Sequence, residues 1–148
     1  MKKVTNGFMS IELILSLAIA AIFFLVAVPK MLLTEKMRVD FQAQYLISNL
    51  RLIQQANFSL PHQAWREPTP YIVINRSSYE VYLDPAKPPV IANMPDDIVL
   101  TSNNGDVFSF NRGDKSTANA ATINITGKTY KAKVVIHSYG RIDRKSVV

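Results

Sequence analysis

The stretch that decides the fold is NGFMSIELILSLAIAAIFFLVAVP, residues 6–29, an apolar run whose only charged side chain is Glu12. As a helix that rises about 1.5 Å per residue, the part from Phe8 to Val28 would be roughly 30 Å long, which matches the hydrocarbon core of a bilayer. Lys2 and Lys3 precede the run, so the positive-inside rule places the N-terminus in the cytoplasm. The sequence therefore predicts a single-pass membrane segment with the remainder of the chain on the outer side.

Glu12 needs an explanation of its own, because a carboxylate near the middle of a bilayer costs on the order of 2.5 to 3.5 kcal/mol. A secretory signal peptide has an apolar core of at most about 15 residues, which is shorter than this run. A plain membrane anchor accounts for the length but gains nothing from an acidic side chain. The third interpretation is cleavage between Gly7 and Phe8, which would make Glu12 the fifth residue of the mature chain.

A short basic leader that ends in Gly7, followed by Phe8, an apolar run and a fifth-position Glu12, resembles the N-terminus of the type IV prepilin family. Pro29 also falls where many members of that family carry a proline. The resemblance implies that residues 1–7 are a leader removed by a prepilin peptidase, and that Phe8 is then N-methylated. It further implies that residues 8–29 form a transmembrane assembly helix. In such a fibre Glu12 pairs with the N-terminal ammonium of a neighbouring subunit and fixes the register between helices.

Helical periodicity resumes after Pro29 and continues to about Asn57. Side chains of an apolar stripe that ends in Asn57 recur in steps of three and four, which predicts an amphipathic helix: Met37, Phe41, Tyr45, Leu46, Leu50, Ile53 and Asn57. The stripe could face the head or a coiled-coil partner, and it is too short for sustained heptads, which favours the head. Together with the apolar run, this amphipathic helix would form one helix of about 75 Å. A kink is expected at Pro29, because proline lacks an amide hydrogen and its ring clashes with the preceding turn.

The period changes from 3.6 to 2 after a proline-rich loop at residues 60–70. Alternating side chains predict strands at 71–75, 79–83, 97–102, 106–111, 121–126 and 129–138, with a short last strand from Arg141. Residues 84–95 are predicted as a proline-rich loop. Asn104-Gly105 and Gly127-Lys128 predict hairpin turns between their flanking strands. The predicted fold class is α+β, in which a long N-terminal helix packs on a C-terminal antiparallel sheet and residues 30–148 form the head.

The head offers little that points to catalysis or metal binding. The chain has no cysteine, and its two histidines, His62 and His137, lie far apart with no acidic ligand pattern beside them. We therefore predict no enzymatic activity, no metal and no cofactor. The Arg112-Gly113-Asp114 triplet predicts a tight turn in a polar loop rather than an adhesion motif, and Trp65 is expected to pack against the helix.

Positive charge is concentrated at the C-terminus. Residues 128–148 carry six basic side chains against Asp143 alone. Such an excess attracts polyanions without reading their sequence, although basic side chains on an exposed hairpin also simply keep a protein soluble. Strand alternation predicts that Lys131 and Lys133 share one face, and Tyr139 could stack on an unpaired base. The candidate DNA-binding residues are Lys131, Lys133, Arg141, Arg144 and Lys145.

A second resemblance covers the head. MPDDIVLTSNNGDVFSFNRGD (94–114) and ITGKTYKAKVVIHSYGRI (125–142) are similar to the heads of minor pilins and pseudopilins of the FimT, GspH and ComGD types. In the FimT group a C-terminal Gly-Arg-x-Arg motif is associated with DNA binding. Gly140 and Arg141 match it, but Asp143 stands at the second arginine. Arg144 comes one residue later, so on a strand it would point to the opposite face.

The two resemblances together imply a minor type IV pilin of a DNA-uptake (competence) pilus. Its partners would be other major and minor pilins, the prepilin peptidase and DNA bound without sequence preference. It would reside in the cytoplasmic membrane before assembly and at the cell surface afterwards. The alternative is a minor pseudopilin of a type II secretion system, which has the same N-terminal helix and a head that meets exported protein.

Overall fold

The structure, a computed structural model, describes residues 6–31, 34–61 and 68–147, with side chains described for residues 11–23 of the first helix and up to Lys145 in the last strand. The chain divides into two compact units, Met1–Thr34 and Glu35–Val148. The described residues form two helices and eight strands: α1 (Asn6–Met31), α2 (Glu35–Phe58), β1 (Tyr71–Ile74), β2 (Ser78–Tyr82), β3 (Val90–Asn93), β4 (Val99–Ser102), β5 (Val107–Ser109), β6 (Ala121–Thr126), β7 (Lys131–Ile136) and β8 (Ile142–Val147).

Helix α1 contains most of the apolar run. It continues through Pro29 and ends at Met31, and α2 begins at Glu35, so the predicted single helix is two helices. The described residue between the two helices, Thr34, is not helical, whereas Pro29 lies within α1. The side chain of Pro29 lies outside the described residues, and the kink there stays a prediction. Within the part of the chain that the structure describes, no helix combines the length and the hydropathy of a membrane span.

Helix α2 supplies one side of the core of the second unit. It contacts β6, β7 and β8 as well as β1 and β5. Its buried residues recur in steps of three and four, as an amphipathic helix requires: Val39, Ala43, Leu46, Ile47, Leu50, Ile53 and Asn57. The C-terminal half of the predicted stripe is thus confirmed.

The N-terminal half of that predicted stripe is wrong. Met37, Phe41 and Tyr45 are exposed, and Val39 and Ala43 are buried in their place. The first turns of α2 carry two apolar rows, and the smaller side chains face the strands because they let helix and sheet approach closely. The bulky row instead stacks on itself, with the rings of Phe41 and Tyr45 parallel at 6.3 Å.

The strands form two antiparallel sheets of four strands, in the orders β3-β2-β1-β5 and β4-β6-β7-β8. The α+β class is therefore confirmed, whereas the expected single sheet is two. Strand β3 lies inside residues 84–95, which were predicted as a loop. Its side chains do not alternate in burial, because Val90 and Ile91 are both exposed at the edge of the first sheet. Strand β3 was missed because prolines precede it and because its side chains lack the period-2 pattern.

The predicted hairpin across Asn104-Gly105 is also wrong, because β4 pairs with β6 and β5 pairs with β1. The chain turns there, with Gly105 at φ 71°, but it passes from one sheet to the other. Before the turn, the Asn103 side chain accepts a hydrogen bond from the Thr122 amide at 2.7 Å. After it, the Asp106 carbonyl accepts one from the Ile74 amide at 2.7 Å.

The second predicted hairpin is confirmed, although its two-residue turn is Lys128-Thr129 rather than Gly127-Lys128. Strands β6 and β7 pair along their whole length, from Ala121 opposite Ile136 to Thr126 opposite Lys131. The turn between them is closed by a 2.9 Å hydrogen bond from the Gly127 amide to the Tyr130 carbonyl. Strand β8 pairs with β7 and is the edge of the second sheet, which places Lys145 directly opposite Lys133 of β7.

Candidate functional site

Two parts of the chain carry candidate functional residues, and the first is α1. The backbones of Gly7 and Phe8 lie within this helix, but their side chains, like that of Pro29, lie outside the described residues. Every side chain from Ile11 to Phe23 is exposed, and Glu12 is the only ionisable one among them. A helix that is apolar on all sides and exposed requires an apolar environment or partner helices.

The second part is the outer face of the sheet β4-β6-β7-β8. Burial alternates along β7, so Ala132, Val134 and Ile136 face α2 while Lys131 and Lys133 face away from it. The predicted shared face of these two lysines is confirmed. Residues directly opposite each other in an antiparallel ladder lie on the same face, and Lys145 of β8 is opposite Lys133.

Four of the five predicted DNA-binding residues therefore share one surface. Arg141 joins the three lysines, because its side chain contacts Asp143, which is opposite the outward-facing Val135 of β7. We call this surface the basic face, defined by Lys131, Lys133, Arg141 and Lys145. Like charges directly opposite each other, such as Lys133 and Lys145, repel. A bound polyanion would remove that repulsion.

Arg144 is the fifth predicted residue, and it does not belong to the basic face. It is opposite Val134, whose side chain is buried toward α2, and its guanidinium forms an ion pair with Asp40 of α2 at 3.0 Å. The Tyr130 hydroxyl lies 3.4 Å from the same carboxylate. The predicted opposite-face placement of Arg144 is confirmed, and its contacts tie the edge strand to the helix.

Arg141 is held by an acidic neighbour. Its Nε donates to the Asp143 carboxylate at 2.8 Å, and His137 Nε2 lies 3.2 Å from the same group. The hydrogen bond from Arg141 holds the pKa of Asp143 below its usual value, and Asp143 raises the pKa of Arg141 in turn. Tyr139 stacks on the His137 ring at 5.2 Å and is 63% exposed.

Gly140 has a structural role that the sequence motif does not reveal. Its φ is 89°, and a Cβ at this position would overlap the Lys115 carbonyl. The Gln54 side chain of α2 donates to the carbonyl oxygens of Gly140 at 2.7 Å and Lys115 at 2.8 Å. The turn that precedes Arg141 is thus fixed to the helix, and only glycine fits there.

Sequence reasoning missed Glu35, the first residue of α2. Its carboxylate accepts hydrogen bonds from the Thr129 amide at 2.7 Å, the Thr129 hydroxyl at 2.7 Å and the Tyr130 amide at 3.1 Å. These bonds, led by the one from the Thr129 hydroxyl, lower the pKa of Glu35 to about 2. The contact joins the start of α2 to the β6–β7 turn, from which the lysine-bearing strand departs. A glutamate in a polar helix start gives no sequence signal for a partner 94 residues away.

The Arg112-Gly113-Asp114 triplet forms a tight turn, as predicted. Gly113 has φ 63°, and the Asp114 carboxylate accepts hydrogen bonds from the Lys115 amide at 2.6 Å and the Ser116 hydroxyl at 2.7 Å. The two terminal nitrogens of Arg112 are buried, and no described residue bonds to them. The triplet is therefore not presented as an exposed Arg–Asp pair.

The remaining candidates add no further site. His62 and Trp65 lie outside the described residues. Among residues 6–31, 34–61 and 68–147, no three His, Asp or Glu side chains are grouped so as to hold a metal ion. No protein-family model matches the chain, and comparison with curated proteins and with solved structures finds no significant match.

Proposed function

We propose that this chain is a minor type IV pilin of a DNA-uptake (competence) pilus, cut after Gly7 and assembled through α1. The observation that carries the proposal is the placement of Glu12. It is a lone carboxylate in an exposed, apolar helix, five residues after a Gly-Phe junction that follows a basic leader. A plain membrane anchor gains nothing from a carboxylate at this position, whereas pairing between neighbouring helices makes use of it.

The mechanism follows from the cost of isolated charges in lipid. Cleavage after Gly7 creates a new ammonium at Phe8, and N-methylation leaves it cationic. Each charge alone is costly in an apolar environment, but the Glu12 carboxylate of one subunit and the ammonium of the next neutralise each other when they meet. Because an apolar contact between helices can be replaced by lipid while this ion pair cannot, the pair selects one axial offset between subunits.

The head supports an uptake function over a secretion function. Its second sheet presents the basic face, whose charges favour a polyanion such as DNA. A pseudopilin that contacts exported proteins of varied charge has no comparable need for it. The head has its own buried core, formed by α2 and both sheets, so assembly through α1 and binding through the head are separable.

The proposal is tested by mass spectrometry of the chain extracted from membranes of cells that contain a prepilin peptidase. We expect a chain that begins at N-methylated Phe8, and a Gly7→Val variant that keeps its leader. Gly105→Ala, which changes a glycine in the head, is the matched control and should be processed normally. A wild-type chain that retains Met1 would contradict the proposal. Loss of transformation, with protein secretion intact, in a strain that lacks the chain would separate the uptake pilus from the pseudopilus.

A further inference from the structure

We propose that the basic face binds the phosphate backbone of nucleic acid through Lys131, Lys133 and Lys145, and that Asp143 limits the affinity by holding Arg141. The choice of nucleic acid as the polyanion rests on the proposed function. The assignment of roles to individual residues rests on the contacts of the sheet.

The first argument is the geometry of the lysine row. Two residues apart on a strand, Lys131 and Lys133 are separated by about 6.7 Å, and neighbouring strands place Lys133 and Lys145 about 5 Å apart. Three ammonium groups thus project from one small area of an open sheet face. No carboxylate lies opposite Lys131 or Lys133 in the ladder, where their neighbours in β6 are Thr126 and Asn124. The lysines are therefore available to an external anion.

The second argument concerns the type of anion. The lysines stand on one face of an open sheet, where Lys131 and Lys145 are exposed and Lys133 is half-buried, so a single phosphate would stay largely hydrated. A polymer with repeated charges can contact several lysines at once and releases counterions as it binds. Flexible ammonium groups act as point charges and cannot distinguish bases. The expected ligand is a phosphodiester chain bound without sequence preference.

The third argument concerns Asp143. Its carboxylate lies between Arg141 Nε at 2.8 Å and His137 Nε2 at 3.2 Å, so it occupies the position that a phosphate oxygen would take. Arg141 is 64% exposed in its side chain, and an exposed ion pair contributes little to stability. Loss of Asp143 should therefore leave the fold intact while it frees the guanidinium for a bidentate contact with phosphate.

The lysine row is tested first, with the full chain in neutral detergent and fluorescein-labelled DNA of random sequence. Fluorescence anisotropy should show that Lys133→Gln combined with Lys145→Gln weakens binding at least tenfold at about 0.1 M salt and lowers the salt slope by nearly two. Lys87→Gln, which removes one positive charge from the loop between β2 and β3, should change affinity less than about twofold, and is compared with each single lysine variant as well as with the pair. Equal losses in both variants would overturn the assigned site.

Asp143 is tested in the same assay. We expect Asp143→Asn to tighten binding about three- to tenfold and to steepen the salt slope by about one, since one more phosphate contact forms. The gain should disappear in an Arg141→Gln background, because Arg141 provides the added contact. Asp96→Asn, which makes the same change in net charge on the loop before β4, should have little effect. A gain that persists without Arg141, or that Asp96→Asn reproduces, would overturn the role of Asp143.

The chemical class of the ligand is tested by competition. Poly-glutamate carries carboxylates instead of phosphodiesters, and we expect it to displace DNA poorly at equal charge. Displacement as effective as that by unlabelled DNA would overturn the nucleic-acid assignment. This inference and the proposed function fail separately. A chain that is processed at Phe8 but does not bind DNA refutes only the inference. An unprocessed chain whose DNA binding is tightened by Asp143→Asn refutes only the pilin proposal.

Discussion

Gly140 shows, at the scale of one residue, why a glycine is needed directly before Arg141. The residue has a left-handed conformation and lies against the Lys115 carbonyl, where no Cβ fits. We expect Gly140→Ala to lower the free energy of unfolding by at least about 2 kcal/mol, since a strained backbone adds to a clash with main-chain atoms. Denaturant unfolding of the full chain in neutral detergent measures this loss.

Gly105 provides the matched control for that substitution. It also has a positive φ, 71°, but nothing lies within 4 Å of a Cβ built on it. Gly105→Ala should therefore cost only about 1 kcal/mol, the price of the conformation alone. Similar losses in the two variants would show that the contact with Lys115 contributes nothing.

Glu35 makes the folding stability of the head depend on pH. Its pKa in the folded chain is about 2, against an ordinary value of 4.5, so the ionised form is favoured by folding. This contribution is present above pH 4.5 and is lost as the pH falls from 4.5 through 2. We expect Glu35→Gln to lower the melting temperature at pH 7. At pH 2 the melting temperatures of the variant and the wild type should be nearly equal.

The control for Glu35 is Asp96→Asn, which removes an exposed carboxylate on the loop before β4. It should leave the difference between the melting temperatures at pH 7 and pH 2 close to that of the wild type. If Glu35→Gln behaves in the same way, the hydrogen bonds to Thr129 and Tyr130 do not stabilise the folded head.

The residues of the basic face could largely be predicted, whereas those that position it could not. Lys131 and Lys133 were placed on one face, and Arg144 on the face opposite to that of the Gly-Arg-x-Arg motif, because the period of a strand fixes the direction of each side chain. Glu35 and Gln54 gave no such signal. Their partners, Thr129 and Gly140, lie far along the chain, and which loops meet the helix is decided only when both sheets pack on it.

At the scale of elements, the register of α2 is the main difference between expectation and structure. Leu50 is fully buried, and Phe41 is 66% exposed, although both were predicted to face the core. We expect Leu50→Ala to lower the free energy of unfolding by about 2 to 5 kcal/mol, because it leaves a cavity. Phe41→Ala should change it by about 0.5 kcal/mol or less. Denaturant unfolding that ranks the two in the reverse order would contradict the observed register.

The sheets show a related limit of local signals. Asn104-Gly105 has the composition of a hairpin turn, and the chain does bend there, but the strands on either side enter different sheets. Turn residues specify the backbone conformation over a few positions, while strand pairing is decided by which partners bury the apolar faces. Gly127-Lys128 gave a correct hairpin because the strands beside it are longer and alternate throughout.

At the scale of the whole molecule, the chain divides its proposed work between two compact units. All core residues that the structure describes belong to the second unit, so a substitution in α1 should leave the folding of the head unchanged. Conversely, the charges of the basic face lie on the head and take no part in the proposed pairing between N-terminal helices. Loss of assembly and loss of DNA binding should therefore be separable by single substitutions.

Glu12→Gln is the substitution that tests assembly. It keeps the size of the side chain and removes the charge that would neutralise the Phe8 ammonium of a neighbour. We expect the variant to be made, cut after Gly7 and folded, but to be at least tenfold depleted in fibres sheared from cells, because an unpaired ammonium in an apolar bundle costs several kcal/mol. Immunoblots of sheared and cell-bound fractions measure the ratio. Glu12→Asp, which keeps the charge on a shorter side chain, should assemble better than Glu12→Gln. Wild-type amounts of the Gln variant in fibres would mean that apolar packing alone sets the register of these helices.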